Sequence, residues 1–473
     1  MLGKVCGMRK NLSIAVFLSL TITLTQPAFG EVTEQEAAQL VVARKFQEAL
    51  PAYQHLVESK GPRLDLLLGL SESLAGTGQV KEALELAEKL VKLYPDRGEA
   101  FAERAEMKAL QGLNEEALTD LNQALALQPR QPWYYVARGY TLSDLERYGE
   151  AYTDFDSAVN LNPEMPIALA GRAYVGVLLG KNKQAWNDVS KALQLDPLLV
   201  SARHTRADLY SRQEEYESAI EDLNRAIQIE PDNEFLLTSR ANALASSGRH
   251  KEAVQDYSGA IKVNPERYDL RTARAVAYEA LGDFKNSLDD HNEAVKLDDS
   301  GVAYLERASF NLRRNKIEDA LKDYGHAIDE GNSVAIAYLG RGQAYMALER
   351  RAEALEDIEK SLKLEPNLLY SYVAKAEILL SLERYEEAAA PLKKLLELAP
   401  NYSPGHMSMG NLWEAREDPG KAIDSFKQAL QYASDPSQRR EAQEALDALN
   451  KAISEQAREK ALEKEEAENT NED

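Results

Sequence analysis

The stretch PWYYVARGYTLSDLERYGEAYTDFDSAVNLNPEM, residues 132–165, is followed directly by PIALAGRAYVGVLLGKNKQAWNDVSKALQLDPLL, residues 166–199, which has the same length and pattern. Both stretches place an arginine, a small residue, an alanine and a proline at the same positions. The alanine extends this 34-residue period along most of the chain, with one step of 33 residues after a serine. It stands at Ala49, Ala83, Ala117, Ala151, Ala185, Ala219, Ala253, Ser287, Ala320, Ala354, Ala388 and Ala422. Twelve copies in phase predict a solenoid, which is an extended surface suited to binding.

Each repeat has the pattern of two helices joined by a turn. Apolar residues recur at helical spacing on both sides of the turn. A glycine often precedes the alanine by about five residues, where it can end the first helix in the left-handed conformation. A proline twelve residues after the alanine ends the second helix or begins the next one. The turn glycines are Gly78, Gly112, Gly180, Gly248 and Gly282.

This pattern resembles the tetratricopeptide repeat (TPR) family from about residue 31 to residue 435. The resemblance implies an all-α, right-handed superhelical solenoid of about twelve helix-turn-helix repeats. The first copy has Leu56 seven residues after its alanine, where most copies have a second small residue, and Gly61-Pro62 where the proline is expected. The copy around Ser287 lacks its proline. Terminal repeats are commonly atypical because one of their faces meets water.

The chain beyond the last repeat divides into two predicted parts. Ala442, Leu446, Leu449 and Ile453 form one apolar stripe at helical spacing, so residues 436–457 are predicted to be a C-terminal capping helix. Residues 458–473 are rich in charge and have no stripe, which predicts an acidic, largely disordered tail.

Residues 1–30 have the order of a secretory signal peptide. A basic start with Lys4, Arg9 and Lys10 precedes an apolar stretch at residues 12–24 and small residues before Glu31. We therefore expect an exported protein, with a bacterial periplasm as the first choice. A secreted protein, a eukaryotic secretory lumen and an uncleaved N-terminal membrane anchor are the alternatives. The stretch is shorter than the roughly 20 apolar residues that a spanning helix needs.

Charge and motifs limit the function classes. The net charge is −22, and residues 1–30 carry three basic and no acidic groups, so the remainder is more acidic still. Nucleic acid is therefore not expected as a partner. The sequence has no HExxH, GxSxG, P-loop or GxGxxG motif, and its six histidines lie in separate repeats. We predict no enzyme activity, no cofactor, no metal site and no small-molecule substrate; protein or peptide partners are expected, and the oligomeric state stays open.

Arginine and aspartate recur together in eight successive repeats. The arginine stands thirteen residues before the periodic alanine, and the aspartate three residues after it. A basic ladder for an acidic ligand is one interpretation. An ion pair inside each repeat is favoured, because it also explains the matching aspartates. The pairs are Arg104 with Asp120, Arg138 with Asp154, Arg172 with Asp188, Arg206 with Asp222, Arg240 with Asp256, Arg274 with Asp290, Arg307 with Asp323 and Arg341 with Asp357.

The resemblance implies a concave groove lined by the first helix of each repeat. Apolar and aromatic residues at its expected positions form two clusters, which are candidate interaction surfaces. The alternative is that some of these residues pack against neighbouring repeats. The candidate binding residues are Trp133, Val136, Tyr140, Ile167, Tyr174, Val177, Leu305, Ile336, Leu339 and Tyr370.

Three function hypotheses follow. The first is an exported, non-enzymatic TPR scaffold or adaptor that binds peptides or protein partners in its concave groove. The second is a structural subunit of a bacterial envelope assembly, such as polysaccharide export, pilus or outer-membrane biogenesis machinery. The third, an enzyme with an accessory repeat array, is disfavoured because no domain-sized segment remains outside the repeats.

Overall fold

A computed structural model describes residues 32–298, 301–331 and 334–469. Within these ranges the regular structure consists of 25 α-helices without a β-strand. The predicted signal peptide, residues 1–30, lies outside the described residues, as do residues 470–473 of the predicted tail. The prediction of an all-α helical solenoid is confirmed. None of the helices in the described ranges is both long and apolar enough to cross a membrane.

Helices α1 to α24 pack as twelve consecutive pairs, one for each predicted repeat, and α25 follows them. Their bounds are α1 Glu34–Val42, α2 Phe46–Lys60, α3 Leu64–Gly76, α4 Val80–Leu93, α5 Gly98–Leu110, α6 Asn114–Leu127, α7 Pro132–Asp144, α8 Tyr148–Leu161, α9 Pro166–Leu178, α10 Asn182–Leu195, α11 Val200–Arg212, α12 Tyr216–Ile229, α13 Glu234–Ser246, α14 His250–Val263, α15 Tyr268–Ala280, α16 Phe284–Leu297, α17 Val302–Arg313, α18 Ile317–Asp329, α19 Val334–Ala347, α20 Arg351–Leu364, α21 Leu369–Ser381, α22 Tyr385–Leu398, α23 Ser403–Ala415, α24 Pro419–Tyr432 and α25 Pro436–Asn469.

The helices of every pair are joined through one residue in the left-handed conformation. The five predicted glycines occupy this place with φ between 74° and 87°. The other repeats use a residue with a side chain at φ between 56° and 62°, at a cost of about 1 kcal/mol each. These residues are Arg44, Glu146, Glu214, Asn315, Glu349, Glu383 and Glu417. The turn is therefore a property of the repeat, and glycine only makes it easier to form.

The described chain forms two compact units, which we call the N-terminal unit (up to Pro265, α1 to α14) and the C-terminal unit (from Glu266, α15 to α25). Large and small residues interlock inside each of them. Phe155 on α8 fills the space beside Gly171 on α9, where an added methyl group would overlap the ring. Tyr324 on α18 does the same beside Gly340 on α19 in the C-terminal unit. The sequence pattern of small and large residues thus sets how closely successive repeats approach.

The C-terminal helix covers the last repeat. Leu446 and Leu449 of α25 are buried together with Phe426 of α24. The helix then continues past Ala457 to Asn469, so the predicted change to a disordered tail at residue 458 is wrong for the described part. Glu, Lys, Ala and Arg are strong helix formers, and a helix can continue on their propensity after its apolar stripe has ended.

The periodic small residue is buried in all twelve repeats, and Ser287 is the one serine among them. Its hydroxyl group is buried and has no hydrogen-bond partner among the described residues. A buried hydroxyl without a partner is destabilising relative to the methyl group of alanine.

We predict that Ser287→Ala raises the free energy of unfolding of the C-terminal unit by about 1 kcal/mol, because it removes an unpaired buried hydroxyl. Urea unfolding measures this change. The matched control is Ser361→Ala, since the buried Ser361 hydroxyl lies 2.8 Å from the Ser371 hydroxyl and its removal leaves that partner unpaired. The control should be destabilised. Equal effects of the two substitutions would contradict this account.

Candidate functional site

The eight predicted arginine–aspartate ion pairs all form inside their repeats. In each pair the Nε and Nη2 groups of arginine donate to the two carboxylate oxygens of aspartate. For Arg172 and Asp188 both of these distances are 2.8 Å. This bidentate geometry confirms the ion-pair interpretation, and the carboxylates leave the guanidinium groups poorly placed for an acidic ligand.

Several of these arginines also connect successive repeats. The Nη1 group of Arg138 donates to Asn122 of the preceding repeat at 2.7 Å, and that of Arg172 donates to Asp156 at 2.6 Å. Arg240 contacts Asn224 in the same way. One guanidinium group therefore holds its own helix pair together and ties it to the repeat before it.

We predict that Arg138→Ala destabilises the N-terminal unit by about 3 kcal/mol, because it leaves the buried carboxylate of Asp154 without its arginine. Arg206→Ala should cost less. Its partner Asp222 also accepts a hydrogen bond from Arg203, with 3.1 Å between Arg203 Nη1 and Asp222 Oδ1.

Hydrogen exchange can measure both variants, since the loss should stay local in a repeat protein. Faster exchange is expected in α7, α8 and their neighbours for Arg138→Ala. An equal loss in both variants would show that the second arginine does not compensate.

The structure divides the ten predicted groove residues into three classes. Ile336 and Tyr370 are exposed, at 44% and 62%. Trp133 and Tyr174 are half-buried against the hydrophobic core of the N-terminal unit. The other six are buried, so the prediction that their side chains form an exposed groove surface is wrong, although Ile167 lines a cavity described below. The buried residues are Val136, Tyr140, Ile167, Val177, Leu305 and Leu339.

Packing between repeats explains this correction. The ring of Tyr140 meets Phe155 edge-on at 4.9 Å between centroids, and Val136 belongs to the same core cluster. Phe155 can lie this deep because Gly139 and Gly171 leave room for it. The position of a residue on a helix therefore does not by itself decide whether the residue is exposed.

A cavity of about 1010 Å³ in the N-terminal unit brings Trp133 and Ile167 together. Its walls come from three consecutive turns between repeats, at residues 162–167, 196–200 and 229–233, and from Val42 and Arg44 at the turn between α1 and α2. We call it the turn cavity. Ile167 is buried and contributes to the floor, whereas Leu198 is 68% exposed. The cavity thus combines a fixed apolar floor with apolar side chains that are open to solvent.

Acidic residues surround this apolar surface. Glu164, Asp196, Glu230 and Asp232 line the turn cavity, and Arg44 is the basic residue that lines it. The backbone N–H of Leu198 donates to the Asp196 carboxylate at 2.9 Å, and the Asn233 side chain donates to Glu230 at 2.7 Å. These two carboxylates are therefore held in place by their own turns.

The sequence contains a pattern that indicates this cavity, and it lies outside the positions that were used to predict the groove. In seven of the eight repeats that carry the proline, the next residue is polar. The exception is Leu198, which follows Pro197. Leu198 is 68% exposed at a position that is polar in the other seven repeats, and an exposed large apolar side chain of this kind indicates an interaction site. The polar residues at this position are Asp96, Arg130, Glu164, Asp232, Glu266, Asn367 and Asn401.

Two buried carboxyl groups lie elsewhere in the N-terminal unit. Glu72 on α3 and Glu103 on α5 are both buried, and both oxygens of Glu72 lack a hydrogen-bond partner among the described residues. Burial, together with the nearby Glu103 carboxylate, raises the pKa of Glu72 to about 8 against the opposing charge of Arg44. Burial also raises the pKa of Glu103.

We predict that the N-terminal unit loses stability as the pH rises toward about 8, because the folded state holds protons that the unfolded state releases near pH 4.5. Glu72→Gln should reduce this loss and make the unit more stable than wild type at about pH 9. Thermal unfolding across this pH range measures it. The control Glu85→Gln changes an exposed residue of α4 and should keep the wild-type profile. A Glu72→Gln profile identical to wild type would contradict the prediction.

No cluster of metal-ligating residues occurs among the residues that the structure describes. His204 lies 2.8 Å from the Ser239 hydroxyl through its Nε2 atom. His291 is buried beside Phe310, and burial lowers its pKa to about 4. His291 is therefore neutral near pH 7 and contributes to packing.

Comparison with known families gives the same repeats. Sequence models of the tetratricopeptide repeat match residues 36–98, 68–132, 134–165, 335–368 and 369–402. A model of the bacterial transcriptional activator domain matches residues 167–278, which lie within α9 to α15 of the helical repeats. A search of curated proteins gave no match.

Solved structures show similarity at low identity. The chain is 12% identical to the APC/C hetero-tetramer Cut9–Hcn1, over 87% of this chain and 95% of that chain, with a TM-score of 0.41. It is 16% identical to yeast Tom70, over 89% of this chain and 95% of that chain, with a TM-score of 0.43. A tetratricopeptide repeat protein from Parabacteroides merdae ATCC 43184 is 20% identical, over 52% of this chain and 98% of that chain, with a TM-score of 0.40. Such similarities say nothing about partners.

The twelve helix pairs and the sequence matches define a helical-repeat protein. The chain belongs to the tetratricopeptide repeat family. Repeats of this family indicate a scaffold for protein–protein interaction.

Proposed function

We propose that the chain is an exported, non-enzymatic scaffold that holds a segment of a protein partner in the turn cavity of its N-terminal unit. The observation that carries this proposal is that the exposed Leu198 and the half-buried Trp133 line the same cavity. Burial of an exposed leucine against a partner stabilises a complex by about 2 kcal/mol. An aromatic anchor in the same cavity adds the kind of contact that dominates binding energy.

The proposed binding site in the cavity includes only a few of the predicted groove residues. Trp133 and Ile167 stay in the proposal because they line the cavity. Tyr140 and Val136 leave it because they are core residues. Ile336 and Tyr370 are exposed on neighbouring repeats of the C-terminal unit, which offers a second candidate surface, and the ring of Tyr370 meets Tyr402 edge-on.

The presence of this second surface favours one alternative, a structural subunit of a bacterial envelope assembly. Such a subunit contacts fixed neighbours through several surfaces, whereas an adaptor captures clients through one. Export in either case rests on the sequence of residues 1–30. The match to the bacterial transcriptional activator domain adds no separate function, because it lies inside the repeats and the acidic chain would be repelled by nucleic acid.

Photo-crosslinking in the native cells tests the proposal. A photoreactive amino acid replaces Leu198, and a matched variant carries it at Leu110, an exposed leucine of α5 that does not line the cavity. We expect protein adducts in the envelope fraction that depend on position 198. One recurrent adduct supports a fixed assembly, and many support an adaptor. The same adducts at both positions, or none at position 198, would contradict a partner site in the cavity.

A further inference from the structure

The residues around the turn cavity specify the chemistry of the segment that fits it. We propose that the cavity takes a short cationic, amphipathic peptide segment, in which bulky apolar side chains alternate with lysine or arginine. This inference rests on the proposed function, since it names the class of partner for the same cavity.

The apolar residues that line the cavity favour a peptide segment with apolar side chains. Ile167 is buried in the floor, and Leu198, Ile229 and Val42 are exposed large apolar residues of the walls. A volume of about 1010 Å³ is at the upper end of the range for small-molecule pockets and has room for several side chains. The three turns come from consecutive repeats, so equivalent backbone positions recur along the wall, which suits an extended peptide.

The four acidic residues that line the cavity, which we call its rim, favour a positively charged peptide segment. Four carboxylates and one guanidinium group line the cavity, which leaves an excess of negative charge beside an apolar surface. Asp196 and Glu230 are fixed by hydrogen bonds within their own turns. Glu164 and Asp232 are exposed residues of two different turns. An acidic peptide would meet like charges here, whereas lysine or arginine next to an apolar residue would pair with them.

The overall acidity of the chain makes a charge control necessary. A random-sequence peptide display library is selected on four immobilised full-length proteins: wild type, Leu198→Asp, the double variant Glu164→Lys with Asp232→Lys, and the double variant Glu82→Lys with Glu88→Lys. The last variant changes the net charge equally, at exposed positions of α4 outside the cavity. Binding of one enriched peptide is then measured by calorimetry at low and high salt.

We expect wild type and the Glu82→Lys with Glu88→Lys control to enrich peptides with Lys or Arg beside Leu, Ile, Phe or Trp. The rim variant Glu164→Lys with Asp232→Lys should bind such a peptide at least about fivefold more weakly, and high salt should reduce this difference. Leu198→Asp should not enrich these peptides.

Two results would overturn the inference and leave the proposed function standing: enriched peptides that depend on Leu198 but are neutral or acidic, or basic peptides that both double variants bind equally. Failure to enrich any peptide that depends on Leu198 also overturns it. The proposed function is judged separately, by the adducts at position 198.

Discussion

The periodic position of each repeat is buried and holds no side chain larger than that of serine, and the rest of the structure depends on this constraint. The periodic alanine, replaced by Ser287 in one copy, is buried throughout, and in several copies an aromatic residue one turn later fills the gap toward the next repeat, as Phe155 does beside Gly139 and Gly171. A larger residue in the small slot would separate the helices at a cost that overpacked cores commonly show, about 1–3 kcal/mol. Because a pair of helices cannot bury its apolar faces alone, the same spacing has to recur in each repeat.

The arginine–aspartate ion pairs add directional hydrogen bonds to this packing. Each arginine satisfies a buried aspartate of its own repeat, and in several repeats it also reaches the preceding one. The arginines therefore fix neighbouring repeats in register by directional hydrogen bonds, whereas the alanine slot fixes only the distance between helices. This division explains why the basic ladder is a structural element, although its regular spacing along the chain resembles that of a binding surface.

The sequence predicted the features that repeat and missed those that occur once. The period, the helix pairs, the left-handed turns and the ion pairs each appear many times in phase, so twelve copies average out local exceptions. The exposure of a single side chain depends on how neighbouring helices stack, which explains why Tyr140 and Val136 were assigned to a groove although they lie in the core. The turn cavity depends on Leu198, which stands at a position that is polar in seven other repeats, and on Val42 and Arg44 of the first repeat, which are far away in the sequence. Helical periodicity carries no information about contacts of that kind.

In the proposed function the repeats build the scaffold, and the turn cavity, where the chain departs from its own pattern, binds the partner. Hydrogen–deuterium exchange of the full chain, alone and in complex with the partner recovered by cross-linking, tests it most directly. We expect partner binding to slow exchange in the turns at residues 162–167, 196–200 and 229–233 and to leave the C-terminal unit unchanged. Protection confined to the first helices of the repeats, or to the surface around Tyr370, would contradict it.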